Sequence, residues 1–366
     1  MELKIQVTPE VLNVVSRLDH FRGIWAAGTL IPPDRLTRLK EATRIRSVAA
    51  SSRMSGVRVT DTEVAGLLRG DAPPVREGKE VLGYAEALDR PFPSDGPLVT
   101  PEEIRKLHAV LLGVKENPES PSAWRTEVLH LEAFDADGRA IGRIFQTLPP
   151  RLIAEKMDDL STWLEFELRS GEHHALLVIA SFMLAFLAIS PFSRGNGRMG
   201  RLLGVHLLRR AGYGYVSYAS LESVMEEMRD AYHDAFDAAE TRIWAGEADL
   251  SPWIRFFLES MDRHRERVDA KVDLERRSLD LTPLQRAILD AVREHGTVAA
   301  SLLMAATGAN RNTLKDNLRR LVERGLIERM GERRGSIYRL SSGDPAARPR
   351  DPVAARPGVL ETAPDS

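Results

Sequence analysis

One short loop between two predicted helices holds the residue types best suited to chemistry in this sequence of 366 residues. Gly195 and Gly197 stand where a helix begins, and there the backbone N–H groups and the helix dipole together attract anions. Arg198 and Arg201 follow at i, i+3 spacing and so share a face of that helix. Guanidinium groups suit bidentate contact with phosphate. The combination predicts a polyphosphate site, and the simpler alternative is a tight turn with surface arginines.

The elements that must position this loop are mainly helices. A mostly apolar helix is predicted over about 173–189, Ser190 and the proline after it end that helix, and a new helix covers about 198–210. Upstream, two short β-compatible runs flank an Asp-Gly pair and predict a β-hairpin over residues 127–147. The fold class predicted from this pattern is mainly α with one hairpin.

A separate module is predicted over residues 281–341, where three short amphipathic helices precede two β-compatible segments. That order is typical of a winged helix-turn-helix. The preceding stretch, 263–280, is rich in charge and predicts a solvated helical linker. The last residues, 342–366, are rich in Pro, Ala and Arg and are predicted to be disordered.

The third helix of this module and the wing carry basic and amide side chains away from the leucine face. These candidate DNA-binding residues are Arg311, Asn312, Lys315, Arg319, Arg333 and Arg334. A basic helix with a basic wing fits a major-groove recognition helix beside a phosphate-contacting wing. Nearby acidic residues dilute the charge, and a protein–protein or homodimer contact remains the alternative.

Composition excludes several classes of function. Hydrophobic residues make up 43% and charged residues 28%, which fits a globular chain, and the net charge of −2 gives no general attraction to nucleic acid or membrane. The absence of cysteine excludes disulfides, thiolate metal sites and cysteine nucleophiles. The N-terminus lacks a signal-peptide pattern, and the longest apolar run falls short of the roughly 20 residues of a membrane span. A cytoplasmic protein that does not enter the membrane is expected.

The loop from Ser190 to Arg201, SPFSRGNGRMGR, is similar to the Fic motif, His-x-Phe-x-(Asp/Glu)-Gly-Asn-Gly-Arg-x-x-Arg. The resemblance covers about residues 25–262 and includes the segments KEATRIRSVAASSRMSG, KEVLGYAEAL and LSPWIRFFLE, and Trp124–Arg125 before the hairpin. It implies an N-terminal helical region over 1–100 and a Fic-type helical bundle over 101–262. A winged helix after the bundle agrees with many members of the family.

The resemblance also implies a chemistry, which is AMP transfer from ATP to a Ser, Thr or Tyr hydroxyl of a protein. In the family, the motif His deprotonates the hydroxyl and the motif acid holds Mg²⁺. A flap, which corresponds to the predicted hairpin over 127–147, holds a segment of the target protein. Carried onto this sequence, the nucleotide-binding residues are Arg194, Gly195, Asn196, Gly197, Arg198 and Arg201.

Two positions of the loop depart from the motif. Ser190 stands at the position of the His, and a hydroxyl cannot accept a proton near neutral pH; loss of a general base costs about 10²–10⁴-fold in rate. Arg194 stands at the position of the acid, so Mg²⁺ is disfavoured and no metal ligand is predicted there. Arg194 either contacts phosphate itself or points to solvent. Spacing places none of four other histidines at Ser190: His130, His173, His174 and His206.

A third departure lies upstream, in the segment 51–56. The family's inhibitory motif, (Ser/Thr)-x-x-x-Glu-(Gly/Asn), matches the run from Ser51 to Gly56, where Ser55 replaces the Glu. In the family that Glu pairs with the second motif arginine and misplaces ATP. The resemblance therefore implies that Arg201 lacks this partner and stays free for an anion.

Base, metal ligand and inhibitory carboxylate are thus absent together, which favours a binding or sensing role. We expect a nucleotide-binding regulator with impaired catalysis. One alternative is an active transferase of AMP or another phosphate-containing group by altered chemistry. The other is a DNA-binding transcriptional regulator that uses the Fic domain as a scaffold.

Overall fold

The computed structural model describes residues 3–28, 31–71, 76–90, 99–113, 122–134, 140–240, 243, 248–278, 281–331 and 336–341. The predicted hairpin turn at Asp137–Gly138, the predicted wing residues Arg333 and Arg334, and the predicted disordered tail 342–366 lie outside these residues. Within them the chain is mainly helical, as the sequence predicts.

The helices, numbered in chain order, are α1 Pro9–Ala26, α2 Pro33–Arg53, α3 Asp61–Arg69, α4 Arg76–Asp89, α5 Pro101–Leu111, α6 Ile153–Ser170, α7 Ala175–Ile189, α8 Asn196–Arg210, α9 Leu221–Glu227, α10 Arg229–Glu240, α11 Ser251–Arg277, α12 Pro283–His295, α13 Ala300–Thr307 and α14 Arg311–Glu323. The strands are β1 His130–Phe134, β2 Ala140–Gln146, β3 Thr297–Ala299, β4 Ile327–Met330 and β5 Ile337–Leu340. None of these helices is long and apolar enough to cross a membrane.

The chain divides into two units, the first formed by the described residues of 1–28 and 38–264. Its centre is α7, whose residues from Leu176 to Ile189 are all buried because the helix has no polar face. Helices α6 and α8 pack against it. Gly204 allows the close approach of α8, since a Cβ at that position would lie 2.4 Å from Met183 Sδ.

The predicted hairpin is present in this unit as an antiparallel pair, β1 and β2. Its register pairs His130 with Gln146 and Phe134 with Ala140, and two irregularities interrupt the ladder. The base of the hairpin is closed by Thr147, whose hydroxyl accepts a hydrogen bond from the N–H of Leu129 and donates one to the carbonyl of the same residue.

The second unit takes the described residues of 29–37 and 265–354. Helices α12, α13 and α14 enclose an apolar core with a three-stranded antiparallel sheet of order β3-β5-β4. The order of three helices and two C-terminal strands is consistent with the predicted winged helix-turn-helix, and the short strand β3 also pairs with β5. Gly308, at φ 66°, makes the left-handed turn between α13 and α14.

Helix α9 ends at its C-cap Met228, directly before α10 begins. Helix α11 runs to Arg277 and includes most of the stretch 263–280, which the sequence predicts as a solvated helical linker. The charged second half of this helix still has a buried apolar face, formed by Val268 and Val272 at i, i+4 spacing. Burial of this face stabilises the helix beyond its first half.

Candidate anion site at the start of helix α8

The loop that precedes α8 is fixed by unusual backbone geometry at both ends. Helix α7 ends at its C-cap Ser190. Among the described residues, Ser190 is the one residue other than glycine with a positive φ, which is 43°. Helix α8 begins after Gly195, which adopts φ 81°. A Cβ at Gly195 would lie 3.3 Å from His108 Nε2, so both the conformation and the close packing require glycine.

The side chain of Asn196 holds the loop closed. Its Oδ1 accepts a hydrogen bond of 2.9 Å from the N–H of Phe192, and its Nδ2 donates one of 2.7 Å to the carbonyl of Phe192. The first turn of α8 has no side-chain cap and no acidic residue. The backbone N–H groups of that turn, Gly197 included, therefore keep their positive end directed at the loop.

A carboxylate from helix α4 lies against two arginines of the loop. Glu80 Oε2 is 2.7 Å from Arg198 Nη2, and Glu80 Oε1 is 2.9 Å from Arg194 Nη1. The Arg198 side chain is 5% exposed, while that of Arg194 is 44% exposed. Arg194 therefore neither points freely to solvent nor stands alone beside the N-terminus of α8, because it forms an ion pair.

Arg198 has hydrogen-bonding capacity that its protein neighbours leave unused. Its Nε and Nη1 are buried and have no hydrogen-bond partner among the described residues. The Nη2 of the same group lies 3.7 Å from where a Cβ on Gly195 would stand, so the guanidinium is beside the N-cap of α8. Buried donors of a charged group are almost always paired, which makes this pair of nitrogens a fit for an anion bound at the helix N-terminus.

The expectation that Arg201 is free is wrong. Arg201 is 3% exposed, and its Nε donates to Ser51 Oγ at 3.1 Å. Its Nη2 donates to the carbonyl of Ser51 and to Ser55 Oγ, both at 2.9 Å. Ser55 occupies the place expected of the inhibitory Glu, but its hydroxyl gives Arg201 a neutral partner. The Nη1 faces Gly197, where a Cβ would lie 3.3 Å away.

Helix α2 is anchored beside Arg201 by a buried carboxylate network. Glu222, 1% exposed, accepts hydrogen bonds from Ser47 Oγ at 2.7 Å and from Tyr84 Oη at 3.1 Å. Burial and the neighbouring Glu222 raise the pKa of Tyr84 well above its ordinary value. Farther along α2, Arg53 pairs with Glu226 at 2.6 Å. These contacts keep the end of α2, with Ser51, against α8.

Ser190 directs its hydroxyl away from the loop. Its Oγ donates a hydrogen bond of 2.6 Å to the carbonyl of Leu187, and the residue is 4% exposed. A hydroxyl in this position carries its proton toward α7 and offers no base at neutral pH. The segment 51–56 ends at Gly56, whose φ of 84° forms the turn after Ser55.

Arg125 joins the base of the hairpin to the end of α7 through carbonyl groups alone. It donates to the carbonyls of Ser190 at 2.7 Å, Glu127 at 2.6 Å, Leu148 at 2.6 Å and Ile189 at 3.1 Å. Burial lowers the pKa of Arg125 to about 10, so the guanidinium remains charged at neutral pH. In the sequence this arginine stands out only through the family resemblance, which assigns it no role.

His108 of α5 is the histidine beside the loop that the sequence analysis missed. Its ring stacks on Phe192 with centroids 3.6 Å apart. Nε2 lies 2.9 Å from the carbonyl of Arg194 and Nδ1 2.9 Å from Ser122 Oγ. Since a carbonyl only accepts, Nε2 carries the proton and Nδ1 accepts from the Ser122 hydroxyl. Burial, above all, lowers the pKa of His108 to about 4, and the ring is neutral at pH 7.

The other histidines serve helix ends and packing. His173 Nδ1 lies 2.8 Å from Glu167 Oε2, and the His174 ring accepts from the N–H of Leu176 as the N-cap of α7. His206 Nε2 lies 3.1 Å from the carbonyl of Ala87. The side chain of His130 lies outside the description.

The donor set at the loop does not fit Mg²⁺. The carboxylate next to Arg194 is that of Glu80, and both of its oxygens are bound to arginine. A hard divalent cation needs several oxygen ligands and is repelled by neighbouring guanidinium groups. No group of three or more His, Asp or Glu side chains able to hold a metal occurs in the described part of the chain.

In the second unit, the candidate DNA-binding residues that the structure describes lie on one exposed helix, α14. They are Arg311, Asn312, Lys315 and Arg319, all exposed. Arg319 lies 3.9 Å from Asp316 and 3.8 Å from Glu323, which partly offsets its charge. The helix is capped by Asn310, whose side chain accepts from the N–H of Thr313.

Comparisons with known proteins point to one family. Residues 98–208 match the model of the Fic/DOC family. "Protein adenylyltransferase Fic" of Culex quinquefasciatus is 26% identical over 199 residues, and its namesake in Aedes aegypti is 24% identical over 196 residues. Each match covers 53% of this chain and 34% of the relative, so the chain spans about a third of the length of these curated relatives.

Solved structures share the fold. A Fic family protein from Desulfovibrio desulfuricans superposes with a TM-score of 0.59 and 23% identity, over 93% of this chain and 99% of that one. Fic-1 from C. elegans gives a TM-score of 0.56 and 18% identity, over 72% of this chain and 73% of that one. At these identities the likeness concerns the fold.

Proposed function

We propose that this chain, which belongs to the Fic family, binds a nucleotide or a related phosphate ligand at the start of α8 and acts as a regulator with impaired AMP transfer. The observation that carries the proposal is the buried guanidinium of Arg198, whose Nε and Nη1 have no partner among the described residues. It lies beside a helix N-terminus that has no side-chain cap. Phosphate oxygens are the acceptors that both groups prefer.

The glycines support this proposal because they let two guanidinium groups lie close to the backbone at the start of α8. A Cβ would lie 3.7 Å from Arg198 Nη2 at Gly195 and 3.3 Å from Arg201 Nη1 at Gly197. A phosphoryl group bound to the helix N-terminus would therefore lie near both guanidinium groups.

The same geometry argues against efficient AMP transfer. The hydroxyl of Ser190 is bound to Leu187, and the ring of His108 is bound at both nitrogens and sits 3% exposed. Neither group is placed to take a proton from an incoming hydroxyl. The loop also presents a cation, Arg194, where AMP transfer needs a metal ligand. The relatives named adenylyltransferases are similar to this chain over about a third of their length.

Mass spectrometry of the intact protein after incubation with ATP and Mg²⁺ tests the catalytic part. The natural chain is compared with the double variant Ser190→His, Arg194→Asp. We expect an AMP adduct on the double variant and none on the natural chain. An adduct on the natural chain would instead support the alternative, an active transferase of AMP or another phosphate-containing group by altered chemistry.

Calorimetry with ADP in EDTA-containing buffer tests the binding part. We expect binding that persists without Mg²⁺ and that Arg198→Ala reduces by about tenfold or more, because each charge-assisted hydrogen bond contributes about 1.5–3 kcal/mol. Arg169→Ala is the control, since that arginine is exposed and paired within its own helix. Equal affinity of the natural chain and Arg198→Ala would contradict the proposal.

The second unit supports a second candidate function, DNA binding by a transcriptional regulator. The observation that favours it is the exposed basic face of α14. Among the described residues of this helix, Arg311 and Lys315 have no ion-pair partner, whereas Arg319 has two. Arg311→Ala and Lys315→Ala are expected to weaken binding of a labelled DNA library and to flatten its salt dependence. Binding that neither variant alters would remove α14 from consideration.

A further inference from the structure

The position of Glu80 has a consequence for ligand binding. This carboxylate comes from α4, 118 residues before Arg198 in sequence, and yet it contacts the guanidinium groups of both Arg194 and Arg198. Its side chain is 13% exposed. A carboxylate with an oxygen on each of two arginines makes the contacts that a phosphoryl group of a ligand would make.

We propose that Glu80 is an internal anion of the phosphate site, which a ligand phosphate must displace and which thereby sets how strongly the site binds. The inference rests on the proposed function. Glu80 is not the glutamate of the family's inhibitory motif. That motif corresponds to the segment 51–56, which contributes hydroxyls to Arg201 and no carboxylate.

The charges of the site support displacement over joint binding. Arg194, Arg198 and the N-terminus of α8 are positive, and Glu80 is the carboxylate that the structure pairs with these two arginines. A second anion bound with Glu80 in place would meet a negative charge within hydrogen-bond distance of the same guanidinium. Like charges at that separation are unfavourable, more so at a buried site.

The packing of Glu80 allows such a movement. It is one-eighth exposed, and Arg194, one of its two partners, is 44% exposed. Only the pairing with Arg198, 5% exposed, is buried on the partner's side. Because solvent screens the outer pair, its rupture costs little, and the phosphate replaces the inner pair with contacts of equal kind.

Calorimetry with ADP, and separately with inorganic pyrophosphate, tests the inference on the full chain in EDTA. The variant is Glu80→Gln, which keeps the size and removes the charge. The control is Glu86→Gln on the same helix, where the exposed carboxylate pairs with Arg90. We expect Glu80→Gln to raise the affinity for both probes by about tenfold or more, and Glu86→Gln to change it by less than about twofold.

A third variant separates charge from shape. Glu80→Asp keeps the charge on a shorter side chain that cannot reach both arginines, so its affinity is expected between those of the natural chain and Glu80→Gln. Circular dichroism of each variant confirms the fold. Binding to Glu80→Gln alone, with none to the natural chain, would support the inference in its strongest form.

The failures of the two proposals differ. If the natural chain binds ADP and Glu80→Gln binds it equally or more weakly, Glu80 positions the arginines rather than competing with the ligand, and this inference is overturned while the proposed function stands. If neither chain binds ADP or pyrophosphate, the phosphate site itself is wrong, and both fall.

Discussion

At the scale of single residues, Arg201 shows how much depends on the kind of partner a buried cation has. It donates to two serine hydroxyls and one carbonyl, and the side chain of Tyr232 is a further hydrogen-bond partner. Such bonds hold the guanidinium in place as a carboxylate would, but none of these partners is a carboxylate. The attraction for a ligand anion is therefore retained although the side chain is not free.

Restoring a carboxylate at Ser55 tests this interpretation. The Ser55 hydroxyl lies 2.9 Å from Arg201 Nη2, so Ser55→Glu brings a negative charge to that guanidinium. We expect ADP binding to weaken by about tenfold, measured by calorimetry. Ser55→Gln is the control of equal size and is expected to change affinity by less than about threefold. Equal losses in both variants would show that bulk, and not charge, is responsible.

The sequence predicted the residues within the loop better than the residues that reach the loop from other helices. The glycines, the arginines and the start of a helix follow from local spacing, and α8 begins at Asn196, two residues before the predicted start. Glu80 and His108 were missed because they reach the loop through packing, from helices 118 and 86 residues away. A signal existed for His108, since Ile104, His108 and Leu111 share one helix face and would bury the ring.

At the scale of elements, α4 and α5 carry these two residues and are held unusually close. A Cβ at Gly83 would lie 2.4 Å from the carbonyl of Val110 and 2.6 Å from the carbonyl of Leu111. Backbone atoms cannot rotate away as a side chain can. Glycine at this position therefore sets the distance between α4 and α5, and with it the placement of Glu80 against the loop.

Gly83→Ala is expected to destabilise the first unit by about 1–3 kcal/mol, because overpacking against backbone forces the helices apart. The urea midpoint, followed by tryptophan fluorescence, measures the effect. Gly23→Ala in α1 is the matched control. Nothing lies within 4 Å of a Cβ there, so the usual helix preference for Ala predicts a gain of about 0.5–1 kcal/mol. A similar gain at Gly83 would mean that the two helices have room to spare.

The hairpin and the end of α7 are linked by Arg125, and removal of its side chain leaves four carbonyls without their donor. Arg125→Met is expected to cost about 3–5 kcal/mol, since unpaired buried polar groups are expensive. Denaturant unfolding measures the loss. Arg169→Met, which removes an exposed arginine paired at i, i+4, is expected to cost less than about 0.5 kcal/mol. Comparable losses for both would deny Arg125 this role.

At the scale of the whole molecule, the two units can be observed separately. All five tryptophans, at positions 25, 124, 163, 244 and 253, lie in the sequence ranges of the first unit, and residues 265–354 contain none. Tryptophan fluorescence therefore follows the unit that holds the loop, while circular dichroism follows both. The sequence could indicate two modules from their patterns and a helix between them, but the burial of Val268 and Val272 in the predicted solvated linker depends on packing that charge content does not reveal.

The free energy of unfolding of the first unit is expected to fall on acidification at pH values above those at which carboxylates titrate. Burial lowers the pKa of His108 and of His206 to about 4, against about 6.5 in an unfolded chain. Between these values the unfolded state binds more protons than the folded state, so stability rises with pH and falls as pH drops from about 6.5 to 4. Each histidine contributes a slope of at most about 1.4 kcal/mol per pH unit.

Urea midpoints at pH 7, 6 and 5, followed by tryptophan fluorescence, measure this slope. His206→Gln keeps a donor for the carbonyl of Ala87 but cannot titrate, so it is expected to reduce the slope. His295→Gln changes an exposed histidine of the second unit and is expected to leave the slope as it is. A midpoint that stays constant from pH 7 to pH 5 would mean that the buried rings already accept protons in the folded state, and the neutral form assigned to His108 beside the loop would be wrong.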